Sequence, residues 1–183
     1  MAEPTRQPRP STAAPQDAST KHTCLRTAAL AFIAAQTHNP SLQDGMDTPA
    51  LRRLVTPSYT HSFGPEYFVA LTPSLQHTFS IDDFIAHTQR MTPALEKWEV
   101  GVEGVVVDEV GEEVVVRCGY VMWVKGEGVR NEVAWWLEME ETGEGWRVRR
   151  SREVVDGVAA GRIRELLLGV VGKGSEVVSR VDA

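Results

Sequence analysis

A histidine in an aromatic segment is the first residue of this chain that could carry out chemistry. His61 lies within the stretch Thr56–Pro65, close to Tyr59 and Phe63. Histidine can accept and donate protons near neutral pH, so a histidine that roofs a cavity predicts acid–base catalysis. The alternative is a histidine that braces a loop through a hydrogen bond to a carbonyl.

An amide and a carboxylate begin a long apolar strand in the second half of the chain. Glu132 directly follows Asn131, and valine, alanine and two tryptophans come next. Burial would raise the pKa of the glutamate into the range that is useful for acid–base work. Because successive strand residues point to opposite faces, at most one of the two enters a pocket. The alternative for Glu132 is an ion pair with an arginine on the next strand.

Tyrosine hydroxyls could complete such a site. Tyr59 could donate a hydrogen bond to a carbonyl or enolate oxygen, although tyrosines in a small core more often pack with their hydroxyls at the rim. Glu153 and Asp156 favour structural roles, as a cross-strand partner and as a helix cap. The predicted catalytic set is therefore His61, Glu132, Tyr59 and Asn131.

The sequence lacks the signatures of cofactor and metal chemistry. It has no glycine-rich phosphate loop, no nucleotide fingerprint, no serine-centred elbow and no histidine–carboxylate pair at helical metal spacing. Cys24 and Cys118 lie on different elements and lack the CxxC spacing. We expect no cofactor and no metal, which leaves proton transfer, cyclisation, dehydration or double-bond shifts in a desolvated pocket.

Composition narrows the possible partners. The chain has 183 residues and a formal charge of −6, and this acidic balance argues against nucleic acid. No apolar run approaches the roughly 18 residues of a membrane span.

Two cysteines are too few for a disulfide framework, so we expect a reduced, cytoplasmic location. The arginines at positions 147, 149, 150 and 152 are interpreted as a solvated sheet face or a dimer rim.

Hydrophobic periodicity and capping signals divide the chain into helices followed by strands. We predict helices at 24–37, at 49–55 behind Thr48-Pro49, and from the capping box at Ser80 to about 92. An irregular connector covers 56–79. Strands are predicted at 98–107, 113–124, 130–140 and 146–155, followed by a helix that Asp156 caps and that runs to about 168.

This order predicts an α+β fold. Three N-terminal helices would pack on a curved antiparallel sheet and form a conical pocket, with a C-terminal helix after the last strand. Residues 1–22 are rich in proline and polar residues and are predicted to be a disordered tail. Residues 23–170 would form the cone domain, and 171–183 a flexible tail.

Three motifs carry a resemblance to a known family. Asn131-Glu132 precedes an aromatic-rich strand, Glu153-Val154-Val155-Asp156 ends the last strand, and the connector 56–65 has a histidine before a proline. This pattern resembles the SnoaL-like polyketide cyclase family of the nuclear transport factor two-like superfamily. It is most similar to a fungal branch of small isomerases and cyclases encoded in polyketide and meroterpenoid gene clusters. The chain departs from that branch by having valine where both motifs carry an aromatic residue.

The resemblance implies a function and a partner. We expect a tailoring isomerase or cyclase, with a dehydratase as a variant, that acts by acid–base proton transfer on a polyketide or meroterpenoid intermediate. The alternative is a non-catalytic module for binding a small hydrophobic ligand or for dimerisation. The resemblance also implies a homodimer that binds a small hydrophobic molecule. Fold alone does not decide between these functions.

Overall fold

The part of the chain that the structure describes contains five α-helices, two short 3-10 helices (Pro73–Leu75 and Thr92–Ala94) and five strands. This computed structural model describes residue 13 and residues 15–171, without the side chains of 170 and 171. The helices are α1 (Thr20–Ala34), α2 (Thr48–Leu54), α3 (Glu66–Ala70), α4 (Ile81–Met91) and α5 (Gly157–Val171). The strands are β1 (Val55–Gly64), β2 (Lys97–Asp108), β3 (Glu113–Val124), β4 (Glu127–Thr142) and β5 (Gly145–Val155).

The first helix begins earlier than predicted. α1 starts at Thr20, inside the segment 1–22 that was expected to be a tail, and the Ser19 side chain caps it by accepting a hydrogen bond from the His22 amide. Its buried residues recur at helical spacing: Leu25, Ala29, Phe32 and Ile33. Most of the predicted tail, residues 1–12 and 14, lies outside the described residues, as do residues 172–183 of the predicted C-terminal tail.

Two predicted helix starts are present, one of them with a different cap. Ser80 and Asp83 form the predicted capping box at the start of α4, with each side chain accepting from the other residue's amide. At α2 the cap is Asp47 rather than Thr48, because the Asp47 carboxylate accepts from the Ala50 amide at 2.9 Å. Thr48 becomes the first helical residue.

The four later strands form the predicted meander, and their bounds differ from the prediction by at most three residues. β3 has the predicted bounds. The turn between β3 and β4 consists of Lys125 and Gly126, with φ of 53° and 76°. A two-residue turn with positive φ at both positions matches the right-handed twist of paired strands, so it fixes the register of this hairpin.

The predicted irregular connector begins instead with a strand. β1 occupies residues 55–64 and pairs in parallel with β5, which makes the curved five-stranded sheet mixed rather than antiparallel throughout. The strand order is β1-β5-β4-β3-β2, so β1 is an edge. Pro57 obscured the strand in the sequence, yet proline is tolerated on an edge strand, where an amide hydrogen is not needed for a second neighbour.

The helices cover one face of the sheet, and the core lies between them. On β4, the odd-numbered residues from Val133 to Met139 are buried on this helix-covered face, while Glu132 and Trp136 are exposed on the outer face. α1 packs against β5, β2 and β3, and α4 packs against β1. At the centre, the Trp135 ring lies 5.7 Å from Phe32 between ring centroids. No helix in the described ranges is long and apolar enough to cross a bilayer.

Replacing Trp135 by alanine should strongly destabilise the protein. The side chain is 1% exposed and lies at the junction of α1, α4 and the sheet, so truncation leaves a large cavity. We expect Trp135→Ala to lower the free energy of unfolding by about 3–5 kcal/mol. Urea unfolding followed by circular dichroism measures this loss.

The matched control is Tyr67→Ala. Tyr67 is an aromatic residue of α3 that is 79% exposed, so its removal should change the free energy of unfolding by no more than about 0.5 kcal/mol. Equal losses in the two variants would contradict the assignment of Trp135 to the centre of the core.

Candidate active site

The parallel pairing of β1 with β5 assembles a polar cluster on the helix-covered face. The register places His61 beside Ser151 and Phe63 beside Glu153. On its other side, the His61 backbone exchanges two hydrogen bonds with Phe79, of 2.8 and 2.9 Å. His61 is therefore fixed between β5 and the segment that precedes α4.

Three side chains form a hydrogen-bonded chain inside the core. Ser151 Oγ lies 2.6 Å from the Tyr59 hydroxyl and 2.8 Å from His61 Nδ1. All three residues are buried: Ser151 and His61 are 0% exposed and Tyr59 is 4% exposed. A buried hydroxyl or imidazole is tolerated when it is hydrogen-bonded. Every polar side-chain atom of these three residues meets that condition except one.

The exception is His61 Nε2, which is buried and has no hydrogen-bond partner in the described part of the chain. The ring is packed among aromatic side chains, with centroids 4.5 Å from Phe63, 4.6 Å from Phe84 and 5.6 Å from Trp135. Burial, with a smaller contribution from His87, lowers the pKa of His61 to about 3. His61 is therefore a neutral imidazole at physiological pH.

A carboxyl group faces the free nitrogen. Glu153 Oε2 lies 3.9 Å from His61 Nε2, and the Glu153 side chain is 17% exposed. Burial raises the pKa of Glu153 to about 8, because a carboxylate loses hydration on this face of the sheet. Near neutral pH this side chain is therefore largely protonated, and it is the member of the pair that solvent or a ligand can reach.

The order Ser151–His61–Glu153 resembles the triad of a serine hydrolase, but the arrangement cannot perform nucleophilic attack. Ser151 is 0% exposed, so a substrate carbonyl cannot reach its Oγ. The hydroxyl is also held by both Tyr59 and His61. An imidazole with a pKa of about 3 is a weak base for activating it. Of the three groups, only Glu153 can take part directly in chemistry with a bound molecule.

Neighbouring polar groups on β3 have no acid–base role near neutral pH. The Tyr120 hydroxyl accepts a hydrogen bond of 3.1 Å from Trp135 Nε1, and burial raises the pKa of Tyr120 well above its usual value. Burial also raises the pKa of the Cys118 thiol to about 12, so the reactive thiolate form is scarce. Both cysteines of the chain are free thiols.

The structure brings together only part of the predicted set. His61 and Tyr59 lie in the cluster. Asn131 is 5% exposed on the same face, but its side-chain oxygen accepts from the Asp156 amide at 3.1 Å and secures the start of α5. Glu132 is exposed on the outer face, so it does not meet His61. Strand alternation predicted this separation of neighbours, and it is Asn131 that points inward.

The carboxylate that lies beside His61 is Glu153, whereas the sequence analysis expected Glu132 there. The sequence indicated a cross-strand ion pair for it, whereas its side chain points inward to His61. The signal that could have identified it is alternation on β5: Ser151 and Glu153 share a face, and Arg150 and Arg152 are exposed. Asp156 caps α5 as predicted, accepting from the amides of the second and third helical residues.

A separate groove of about 670 Å³ lies on the outer face of the sheet. Trp136, which is 45% exposed, forms part of its wall. Its charged lining residues are Glu66, Glu113, Glu138, Arg150 and Arg152. Within the described residues, no group of three or more histidine, cysteine, aspartate or glutamate side chains could hold a metal ion.

Comparison with known proteins identifies the fold. No protein-family model matches the chain, and no curated protein matches it in sequence. Among solved structures it is similar to PrhC from Penicillium brasilianum, with 16% identity over 82% of this chain and 92% of that chain and a TM-score of 0.63. It is similar to the BvnE pinacolase from Penicillium brevicompactum, with 15% identity over 81% and 96% and a TM-score of 0.61.

A third similar structure is bacterial. It is a protein described as a SnoaL-like polyketide cyclase from a Jannaschia species, with 19% identity over 81% of this chain and 96% of that chain and a TM-score of 0.59. Identities this low define the fold alone. The chain has the fold of SnoaL-like polyketide cyclases and ketosteroid isomerase-like proteins, as the sequence resemblance implied.

The raised pKa of Glu153 predicts a specific dependence of stability on pH. Its folded-state pKa of about 8 lies above its ordinary value of 4.5, so the folded chain holds this proton more tightly than the unfolded chain does. The stability that this group contributes is fully present below about pH 4.5. It falls as the pH rises above that value and is lost once the pH has passed about 8. Glu153→Gln removes this pH dependence. The free energy of unfolding of the variant, relative to that of wild type, should therefore be roughly 3 kcal/mol higher at about pH 8 than at about pH 5.

Urea unfolding of both proteins at the two pH values measures this difference. Burial lowers the pKa of His61 and of His87, so their contributions run in the opposite direction, and they cancel in the comparison because both proteins carry them. Glu132→Gln is the matched control, since it makes the same change on the exposed face and should leave the pH dependence of wild type in place. A Glu153→Gln difference that is the same at both pH values would show that the carboxyl is not buried.

Proposed function

We propose that this protein is a cofactor-independent acid–base enzyme that isomerises or cyclises a small, largely apolar molecule. The observation that carries the proposal is the Glu153–His61 pair: a carboxyl with a pKa of about 8, partly accessible, backed by a neutral imidazole that is fully buried. A carboxyl that is protonated near neutral pH can act as a general acid. Perturbed acid–base groups of this kind cluster at active sites.

Glu153 would be the catalytic residue. Its carboxyl proton passes to an oxygen of the substrate, such as a carbonyl, and the resulting carboxylate takes a proton from a neighbouring carbon. The carboxyl group is thereby restored. In the substrate, one proton has moved from carbon to oxygen and one double bond has shifted. Each assisted proton transfer contributes typically about 10²–10⁴-fold to the rate. His61 and Tyr59 are too buried to touch a substrate, and they act through Glu153.

The surroundings of the pair favour a neutral, apolar substrate. Phe63 and Trp135 flank Glu153 on the neighbouring strands, and Arg150 and Arg152 are exposed on the opposite face of the sheet. In the part of the chain that the structure describes, Glu153 has no lysine or arginine partner, so an anionic substrate would meet no positive charge at this carboxyl. The fold is shared with the fungal PrhC and with a fungal enzyme named a pinacolase. Together with the sequence resemblance, this supports a polyketide or meroterpenoid intermediate of secondary metabolism as the substrate.

One observation weakens the enzyme function and, within the non-catalytic alternative, favours dimerisation over ligand binding. The helix-covered face is filled at its centre by Trp135, Phe32 and Phe84, and the reachable part of the pair is only the 17% exposed Glu153 side chain. A ligand carrier would need space here but no ionisable carboxyl.

The cytoplasmic location expected from the free cysteines stays a prediction.

Deletion and restoration of the gene in its host test the enzyme function. If the protein is a tailoring enzyme, deletion diverts a polyketide or meroterpenoid product and wild type restores it. Glu153→Gln keeps the shape of the side chain but cannot give up a carboxyl proton, so we expect product formation to fall at least about 100-fold. Metabolite profiling by mass spectrometry measures product and diverted precursor, and circular dichroism confirms that the variant folds.

Glu132→Gln is the control and should restore the product fully, because this glutamate lies on the exposed outer face. Full restoration by a folded Glu153→Gln would exclude the proton-transfer mechanism. A deletion without any change in metabolites would favour the non-catalytic alternative.

We also propose that the outer face of the sheet pairs with a second copy of this chain. A row of side chains crosses three strands on this face: Val106 pairs with Val115, which pairs with Trp136. Val106 and Trp136 are 68% and 45% exposed. The charged residues beside this row already have partners in the same chain, since Glu138 pairs with Arg149 and Arg150, and Arg117 lies 3.8 Å from Glu103. The exposed apolar row itself is therefore the feature that suits an isologous dimer.

Trp136→Glu should therefore dissociate the dimer. An aromatic anchor at the centre of an interface commonly contributes about 2 kcal/mol or more, so we expect dimerisation to weaken at least about 30-fold. Size-exclusion chromatography with light scattering at micromolar concentration measures the mass. Val110→Glu, in the exposed turn between β2 and β3, is the control and should stay dimeric. A monomeric wild-type protein would contradict the proposed pairing.

A further inference from the structure

Three side chains from neighbouring strands form a row in the groove on the outer face of the sheet. Ser62 faces Arg152 across the pairing of β1 with β5, and Arg152 faces Trp136 across the pairing of β5 with β4. All three line the groove of about 670 Å³. Neighbouring strands lie about 4.8 Å apart, so this groove row spans about 10 Å. It places a hydroxyl and a guanidinium at one end and an indole ring at the other.

The guanidinium of Arg152 donates no hydrogen bond to any residue that the structure describes. Its ion-pair partner Glu66 has Oε1 3.9 Å from Arg152 Nη2, beyond hydrogen-bond distance, and the Glu66 side chain is 93% exposed. The Ser62 hydroxyl has no side-chain partner among the same residues. A planar guanidinium can hold a carboxylate through two parallel N–H bonds. These two side chains therefore leave their donors free for an anionic group of a ligand.

Gly64 provides the space in which this guanidinium lies. A Cβ atom at position 64 would lie 3.1 Å from Arg152 Nε and 3.3 Å from Arg152 Nη2, so a side chain there would displace the guanidinium. The same Cβ would lie 3.2 Å from Val154 Cγ2, which flanks this space. The guanidinium thus lies close to the β1 backbone at the wall of the groove, which limits how far its donors can move.

The other charged residues of the groove limit the charge that a ligand can carry. Arg150 Nη1 donates to Glu138 at 3.0 Å, and Glu138 also accepts from Arg149, so the charge of Arg150 is balanced within the chain. Glu113 lines the groove without an ion pair in the described part of the chain. A second negative charge on a ligand would be repelled by Glu113, whereas a single one is matched by Arg152. This favours a carboxylate over a dianionic phosphate.

We propose that this groove is a second binding site and that its ligand is a small aromatic carboxylic acid. The carboxylate accepts two parallel hydrogen bonds from Arg152 and one from the Ser62 hydroxyl, and the ring packs against Trp136, which is 45% exposed. The volume of the groove falls within the range of about 300–1,000 Å³ that is usual for ligand sites.

This site is separate from the candidate active site. Arg152 is exposed on the outer face, whereas Glu153 points to the helix-covered face, so the two sites lie on opposite sides of the sheet. The binding of an acid in the groove does not depend on the proposed acid–base role of Glu153. Of the residues proposed to pair with a second copy of the chain, Trp136 alone lines the groove.

The experiment is isothermal titration calorimetry of the full chain with 2-naphthoate at pH 7. We expect saturable binding of one naphthoate per chain. The neutral 2-naphthamide has the same rings but no charge, so it should bind at least about 10-fold more weakly because the charge-assisted hydrogen bonds are lost. Inorganic phosphate should bind no more tightly than the amide. The absence of saturable naphthoate binding at millimolar concentration overturns the proposal, and so does equal affinity for acid and amide.

Three variants test how the acid is held. Arg152→Gln removes the guanidinium from an exposed position and should weaken naphthoate binding at least about 10-fold. Gly64→Ala keeps every charge but displaces the guanidinium, so binding should weaken as well; the φ of Gly64 is not positive, so alanine fits its backbone. Glu66→Gln removes the carboxylate that competes for Arg152 and should tighten binding. Unchanged affinity in Arg152→Gln overturns the proposal.

Arg164→Gln is the matched control. It makes the same change of charge at an exposed position of α5 and should bind naphthoate as wild type does. A loss as large as that of Arg152→Gln would show that net charge alone attracts the acid. Glu153→Gln should also bind as wild type, and a loss there would place the acid in the candidate active site instead. Calorimetry requires no turnover, so failure of the proposed enzyme function would leave this test intact and distinguishable.

Discussion

The parallel pairing between β1 and β5 is the contact on which the candidate site depends. These strands are separated by about half of the chain, yet their register places His61 beside Ser151 and Phe63 beside Glu153. A shift of one residue would turn His61 and Tyr59 to the outer face and leave the core without its hydrogen-bonded chain. The backbone bonds between His61 and Phe79 oppose such a shift from the other edge of β1. The chemistry of the site thus follows from strand register before it follows from any single side chain.

Burial then assigns the roles within the cluster. The same apolar packing lowers the pKa of His61 to about 3 and raises the pKa of Glu153 to about 8, because in both cases the charged form loses hydration. The pair is therefore neutral near pH 7, and an ion pair between the two groups is not its resting state. Ser151, which is also bonded to Tyr59, satisfies His61 Nδ1, so the atoms of the pair without a hydrogen bond in the described part of the chain are Nε2 and the carboxyl that faces it. This is the part of the cluster that a bound molecule could reach through Glu153.

Local sequence signals predicted the elements well and the site only in part. The capping box at Ser80, the Asp156 cap and the meander from β2 to β5 are encoded by neighbouring residues, and they agree with the structure. The parallel β1–β5 contact joins distant segments, so no local pattern announces it, and Pro57 further hid the strand. The choice of Glu132 over Glu153 has the same origin. Both glutamates lie on strands, but which face of each strand is covered depends on pairings that the sequence does not state.

The fold is compatible with an enzyme and with a ligand carrier, and the Glu153 carboxyl is the feature that favours one over the other. A carrier for an apolar molecule would be served by leucine or glutamine at position 153, either of which avoids the loss of stability that accompanies ionisation of a buried glutamate. The carboxyl weakens the fold as pH rises towards 8, because its ionised form loses hydration and, among the described residues, faces the neutral imidazole of His61 at 3.9 Å, beyond hydrogen-bond distance. A group that lowers stability in a well-packed core is explained most simply by what it does to a bound molecule. For an ionisable group with a pKa near neutrality, this favours the proposed transfer of a proton.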